Sequence, residues 1–235
     1  MRARALLCAA LLAGLCSSGS SARADDPPRS GDGPTLEKPS AYFPTELGRR
    51  WTYSLKVTVG KDSRTIEYTT KVARAEKLEG VGECVVLESH SDRLLSTEWF
   101  QVDDRVGVVN VKRQEGKAAA ELKGRVLISP AALTALARNE KPAPVEWKSK
   151  AGNAQGTLTV VGLEKIRLRN YGQLECLVVV DKGTYTFGEG KVVRVQERRL
   201  YFAPELGLVK EVMQVKKPDG TVTMETLAEL KHHET

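Results

Sequence analysis

Three side chains capable of acid–base or metal-binding chemistry follow one another at a spacing of two residues: Glu88, His90 and Asp92. If this segment is a β-strand, all three lie on one face, as a metal site or a general acid–base pair requires. The alternative is a solvated strand end that enters a turn. We adopt the alternative, because no other group in the chain has the spacing to complete a metal site.

No other motif for catalysis or cofactor binding is present. Apart from His90, the only histidines are His232 and His233, close to the C-terminus. The sequence contains no Gly-x-Ser-x-Gly, no phosphate-binding Walker loop and no Cys-x-x-Cys. We therefore predict no metal, no cofactor and no enzymatic activity.

The N-terminus has the features of a secretory signal peptide. Arg2 and Arg4 precede an apolar segment, 6–15, which is too short to span a bilayer, and Ala22-Arg23-Ala24 is a small-x-small cleavage signal. We predict a signal peptide at 1–24 and export to the periplasm or the extracellular space. Cys16 follows a leucine, whereas a lipoprotein signal needs a small residue there, so we favour export without a lipid anchor at Cys16.

Composition limits the partners of the exported chain. Residues 25–40 are rich in Pro, Gly, Ser and Asp, which predicts a disordered linker. The chain has 36 basic and 30 acidic residues, and three of its arginines belong to the signal peptide. The remaining small excess of positive charge does not indicate nucleic-acid binding. No second long apolar segment follows, so we predict no transmembrane segment in the mature chain.

The rest of the chain has the period of β-strands. In WTYSLKVTV, 51–59, apolar and polar residues alternate, which puts one face of a strand on a core and the other in water. Similar segments, separated by turn residues, continue to residue 230. They predict an all-β, mainly antiparallel fold: a single domain, 41–235, with a curved sheet or half-barrel of about 10–12 strands. One short helix is predicted at 129–140, capped by Ser129.

The chain also contains a candidate internal repeat. Landmark residues recur in the same order, with Trp51, Cys84 and Trp99-Phe100 followed later by Trp147, Cys176 and Tyr201-Phe202. Their offsets lie between 92 and 102 residues, a spread that hairpin loops can absorb. We predict two related halves, 41–127 and 143–231, joined by the helix. Chance similarity of short patterns is the alternative.

Cys84 and Cys176 lie inside apolar strand segments at matching positions of these halves. In an oxidising compartment two cysteines raise the question of a disulfide between them. The alternative is two small buried hydrophobic residues. The sequence leaves both interpretations open.

Three segments resemble a loose set of bacterial secreted proteins and lipoproteins that carry a domain of unknown function. They are YFPTELGRRWTY from residue 42, YGQLECLVV from residue 171 and RRLYFAPELGLVKEV from residue 198. Family members often have Val-Pro-Ala-Gly before the middle strand, where this chain has LRNYG. The resemblance implies an antiparallel β fold, similar to the half-barrel of periplasmic lipoprotein carriers, and it implies no catalytic residues.

Among the functions that remain, we favour an exported, non-catalytic cell-envelope protein that binds an apolar or lipid-like ligand on a concave sheet. The alternatives are an envelope protein that offers an edge strand to a partner protein, and an enzyme without a recognisable motif. Candidate ligand contacts are aromatic residues of the strands and two leucines of the helix: Trp51, Tyr53, Tyr68, Trp99, Leu133, Leu136, Trp147 and Tyr185. These side chains could instead simply fill the core.

Overall fold

The computed structural model describes residues 36–92, 95–116, 121–149, 153–187 and 192–235. The predicted signal peptide and most of the predicted linker lie outside these residues. The described residues form twelve strands: β1 (Arg50–Val59), β2 (Asp62–Leu78), β3 (Gly82–His90), β4 (Leu95–Asp103), β5 (Gly107–Glu115), β6 (Glu121–Ile128), β7 (Val145–Lys148), β8 (Ala154–Leu168), β9 (Gly172–Phe187), β10 (Val192–Ala203), β11 (Gly207–Lys216) and β12 (Val222–Glu234). The prediction of an all-β, antiparallel fold with one short α-helix is confirmed.

All twelve strands belong to one antiparallel sheet in the order β6-β5-β4-β3-β2-β1-β12-β11-β10-β9-β8-β7. Neighbours in the sheet are neighbours in the chain, except that β1 pairs with β12. The two edge strands, β6 and β7, are therefore consecutive in the chain. Edge strand β6 contacts β7 and β8, although no backbone ladder joins these strands in the described residues. The sheet is thus nearly closed, with a seam between β6 and β7.

The connection across the seam is the helix α1 (Pro130–Ala137). Ser129 caps it by accepting a 3.1 Å hydrogen bond from the amide of Ala132, and Pro130 occupies its first turn. The helix is shorter than the predicted 129–140, because Asn139 takes a positive φ of 59°, which ends the helix. Leu133 is buried and packs in an apolar cluster with residues of β6, β8 and β9.

The strands form two sets of six in chain order, β1–β6 and β7–β12. Four bulges interrupt the ladders at matching places in these two sets. β2 carries one extra residue opposite β3, Ala73, and β8 carries one opposite β9, Val161. β5 carries one extra residue opposite β4, Val111, and β11 carries one opposite β10, Val209. A bulge increases the local twist of its strand, so these positions help the sheet to curve.

Candidate functional site: a cavity on the inner face of the sheet

The inner face of the curved sheet encloses a cavity of about 490 Å³. Its lining changes character along the strands, and β10 shows this most clearly. Alternate residues of β10 face the cavity: Phe202 and Leu200 first, then Arg198 and Gln196. We call the region around Phe202 the apolar end and the region around Arg198 the polar end.

The apolar end is formed by side chains from both sets of strands and from the segment before β1. Its lining residues are Phe43, Pro44, Trp51, Phe100, Leu127, Leu200, Phe202 and Leu208. A 3-10 helix, Pro39–Tyr42, brings this segment to the sheet, and the rings of Phe43 and Phe100 meet at 4.6 Å. The apolar end therefore has a floor made by chain that precedes the first strand.

Two aromatic side chains of β1 are fixed at this end by hydrogen bonds. The indole N–H of Trp51 donates to the carbonyl oxygen of Leu206 at 2.7 Å, and the hydroxyl of Tyr53 donates to that of Leu208 at 2.8 Å. The loop that receives them depends on Gly207, whose φ is 80° and where a Cβ would lie 3.1 Å from Cδ of Pro44. These contacts fix β1, the loop before β11 and the segment before β1 relative to one another at the apolar end of the cavity.

At the polar end, Asp181 of β9 is the centre of a buried cluster at the seam. Its two oxygens accept hydrogen bonds from the indole N–H of Trp147 at 2.9 Å and from the guanidinium of Arg125 at 3.3 Å. The same guanidinium donates to the Tyr185 hydroxyl at 3.2 Å and lies 3.6 Å from the centre of the Trp147 ring. Arg125 belongs to β6 and Trp147 to β7, so side chains join the two edges that the backbone leaves unpaired.

Trp147 can lie across the neighbouring strands because two of their residues are glycines. A Cβ at Gly156 or Gly183 would be 2.7 Å or 2.6 Å from the Cζ2 atom of Trp147. Any side chain at either position would displace the indole ring.

The second ion pair of the polar end joins β10 and β11. Arg198 donates from Nε to Glu211 at 2.9 Å, and its Nη1 lies 4.0 Å from Asp181. Burial acts to lower the pKa of this guanidinium, but the carboxylates of Glu211, Asp181 and Glu98 raise it overall. Arg198 is therefore charged at every physiological pH.

A third set of paired charged and polar side chains at the polar end lies on β4 and β5. Glu98 accepts hydrogen bonds from the amide of Asn110 at 3.1 Å and from Arg113 at 3.4 Å. Arg113 also reaches Glu115 at 2.9 Å. All four of these residues line the cavity.

Tyr68 of β2 lies between the two ends. Its ring stacks on Tyr53, with centroids 5.0 Å apart. Burial raises the pKa of its hydroxyl well above the ordinary value; the negative charges of Glu211 and Glu98 add to this increase, and the positive charge of Arg198 opposes it. Tyr68 is therefore a neutral hydroxyl that faces carboxylates.

The structure divides the aromatic and leucine residues that the sequence singled out. Trp51, Tyr53, Tyr68 and Tyr185 line the cavity. Trp147 is adjacent to it through Asp181. Trp99 packs in a separate apolar cluster with Cys84 and Val86, whereas Leu133 and Leu136 pack at the helix; none of these three lines the cavity.

The other groups with potential chemistry do not form a site in the described residues. Glu88 forms ion pairs with Lys71 and Arg74. No group of three or more histidine, cysteine or carboxylate side chains in the described ranges could hold a metal ion. Among the residues that the structure describes, no helix is long and apolar enough to cross a membrane.

Cys84 and Cys176 are free thiols, and both are buried. Cys84 lies on β3 and Cys176 on β9, and they belong to different apolar clusters. The disulfide that the sequence left open is not formed in this structure, because five strands separate β3 from β9 in the sheet. Burial raises the pKa of the Cys176 thiol to about 12, with the carboxylates of Glu175 and Glu164 acting in the same direction.

Sequence reasoning missed the charged residues of the cavity. None of the candidate ligand contacts chosen from the sequence is charged, whereas Arg198 faces the cavity. The signal that could have found it was the strand period itself, because Arg198 stands two residues before Leu200 on the same face. Arg125 gave no such signal, because its strand does not alternate.

Comparison with known proteins finds distant structural likenesses only. No family model matches the chain, and no curated protein matches it. A solved structure with a YmcC-like fold from Bacteroides fragilis is 12% identical, covers 82% of this chain and 98% of its own, and has a TM-score of 0.45. A LolA superfamily protein from Nitrosomonas europaea is 9% identical, with 84% and 89% covered and a TM-score of 0.34.

A DUF1329 family protein from Desulfovibrio piger is 11% identical, with 81% and 86% covered and a TM-score of 0.30. All three TM-scores lie below 0.5. These likenesses do not bear on what this chain binds.

Proposed function

We propose that the protein is an exported, non-catalytic binding protein for a small amphipathic molecule. The tail of that molecule would occupy the apolar end of the cavity and its head group the polar end. The observation that carries the proposal is the change of lining along a single strand, from Phe202 and Leu200 to Arg198 and Gln196. A volume of about 490 Å³ lies within the range of about 300–1,000 Å³ that is typical of small-molecule sites.

The proposal explains why the inside of the sheet is incompletely filled. A protein interior is ordinarily packed without voids larger than a few water molecules. Here small residues such as Ala228 and Thr226 stand on the inner face beside the cavity. A purely structural sheet would be more stable with larger apolar residues at these positions.

The experiment that tests the proposal is binding of the neutral fluorescent probe N-phenyl-1-naphthylamine to the exported protein. We expect saturable fluorescence enhancement with one probe for each chain. Ala228 is 3% exposed and lines the cavity on β12. Ala228→Phe should fill the space opposite Leu55 and weaken probe binding at least tenfold.

The matched control is Ala75→Phe, which adds the same ring at an exposed position of β2 outside the cavity. It should bind the probe like the unaltered protein. Ala228→Leu, a smaller addition, should give an intermediate affinity if Ala228→Phe is too large to fold. Equal binding by the Ala228 and Ala75 variants, or no binding by the unaltered protein, contradicts the proposal.

The alternative function through an edge strand is less compatible with the seam. A partner strand would have to add to β6 or β7. These strands lie beside each other and are joined through Arg125, Asp181 and Trp147. Strand addition there would first have to break this buried cluster.

A further inference from the structure

The charges that line the cavity do not balance. Its ionisable carboxylates are Glu98, Glu115, Asp181 and Glu211, and its guanidinium groups are Arg113, Arg125 and Arg198. No lysine or histidine lines the cavity in the described residues. The lining therefore has a net charge of −1, from four negative and three positive groups.

Each guanidinium already has a carboxylate partner. Arg125 pairs with Asp181, and Arg198 pairs with Glu211. Arg113 pairs with two carboxylates, those of Glu98 and Glu115. An anionic head group would compete with these carboxylates for the guanidinium groups and would add a second negative charge to a lining that already has an excess of one.

The cavity has unused acceptors on two of its carboxylates, beside one buried donor without a partner in the described residues, Nε of Arg113. Glu98 and Glu211 accept hydrogen bonds through Oε1 only, so far as the described residues are concerned. Their Oε2 atoms are free to accept a hydrogen bond from a ligand. The hydroxyl of Tyr68, which also has no partner among the described residues, is within the electrostatic reach of both carboxylates.

We infer that the polar end takes a head group that donates hydrogen bonds and carries no negative charge, with an alkylammonium preferred over a neutral polyol. This inference rests on the proposed function and specifies its ligand class. An ammonium would neutralise the excess negative charge and donate to the free oxygens of Glu98 and Glu211. The stacked rings of Tyr53 and Tyr68 offer it an aromatic face in the same cavity.

The test compares three probes with the same twelve-carbon tail: dodecylamine, 1-monolauroylglycerol and laurate. Each displaces N-phenyl-1-naphthylamine from the exported protein at pH 7, below its micellar concentration. We expect dodecylamine to displace the probe at the lowest concentration and laurate at a concentration at least tenfold higher. Because the tails are identical, the ranking reports the head group alone.

A charge-changing variant reverses the expected order. Glu98→Gln combined with Glu211→Gln keeps the shape of both side chains and changes the net charge of the lining from −1 to +1. Laurate should then bind at least tenfold more tightly, and dodecylamine more weakly. The control, Glu79→Gln combined with Glu83→Gln, removes two exposed carboxylates that do not line the cavity and should leave the ranking unchanged.

The outcomes separate the two proposals. If the unaltered protein binds laurate as tightly as dodecylamine, the inference about the head group is wrong while the amphiphile cavity stands. If none of the three compounds displaces the probe, or the probe itself does not bind, the proposed function fails. Thermal melting of the glutamine variants shows whether a lost response comes from unfolding, and the ranking on the unaltered protein decides the question without them.

Discussion

Replacing Asp181 tests whether side chains hold the seam between β6 and β7 closed. Asp181 is 3% exposed and Arg125 8% exposed, so the pair is buried. Removing one partner of a buried ion pair costs about 3–5 kcal/mol, because the other charge is left without compensation. Asp181→Asn keeps an oxygen for the indole N–H of Trp147, and Arg125 keeps Tyr185. We therefore expect the lower end of that range, about 3 kcal/mol.

Arg125→Met should cost less, about 2 kcal/mol, because Asp181 retains Trp147 and the nearby Arg198. The double variant leaves neither charge unpaired at the seam. Its cost should be about 3 kcal/mol, so that the coupling between the two positions is about 2 kcal/mol.

The assay is unfolding in urea at pH 7, with the free energy of unfolding extrapolated to water for each protein. A matched control is Lys182→Met, which removes the next residue's surface ion pair with Glu197 and should change stability by less than about 1 kcal/mol. Additive costs at Asp181 and Arg125, within about 0.5 kcal/mol, would refute the argument that they act as one buried pair.

Two further predictions concern buried groups near the cavity and beneath the sheet. Gly183→Ala should lower the free energy of unfolding by about 1–3 kcal/mol in a urea titration, because its Cβ would lie 2.6 Å from Trp147. In a Trp147→Leu background the same substitution should cost much less. An equal cost in both backgrounds would show that the clash with Trp147 is not the cause. Cys176→Val should flatten the loss of stability at alkaline pH: the folded pKa of about 12 exceeds the ordinary value of 9.0, so the stabilisation is complete below pH 9 and is lost as pH rises from 9 towards 12. The free energy of unfolding that the unaltered chain loses between pH 8.5 and pH 10.5 should be about 2 kcal/mol larger than the loss in Cys176→Val. An identical pH dependence in the two proteins would show that this thiol does not contribute.

The fold class was predictable because strand period and turn chemistry agree along most of the chain. The alternation in 51–59 became β1, and the turn residues Gly48 and Gly207 take positive φ values of 89° and 80°. The order of the strands was not predictable. Pairing of β1 with β12 is a contact between the two ends of the chain, and no local pattern specifies it.

The strand that the sequence hid is β6, and it contributes a central part of the site. Its segment, ELKGRVLI, does not alternate, and Gly124 stands in its middle with a φ of 59°. The pairing of β6 with β5 is also irregular, with two register shifts. As a result nothing in the strand pattern indicated the position of Arg125, which hydrogen-bonds to Asp181.

Charged cavity residues escape sequence reasoning for a different physical reason. A strand with one polar face is ordinarily a strand with one solvated face. In this fold the inner face contains both kinds of residue, so Arg198 and Glu211 look like surface residues of β10 and β11. They line the same cavity as Tyr68 of β2 because the sheet curves.

The matching bulges support a proposal that the two sets of six strands are related, as the landmarks Cys84 and Cys176 suggested. In both sets the first bulge lies opposite the second and third residues after the cysteine, and the residue directly after the cysteine pairs with a phenylalanine, Phe100 or Phe202. Counted from the same landmarks, the pair Arg198–Asp181 of the second set corresponds to Ser96–Ser89 of the first.

Both of these pairs are cross-strand neighbours, and both line the cavity. One set places a large charged pair there, and the other places two small hydroxyls. A sheet with the charged pair at both positions would bring more ions into the same buried volume, and a sheet with serines at both would leave Trp147 and Arg125 without the carboxylate of Asp181. The difference between the two sets at this one register position therefore contributes both space and polarity to the cavity.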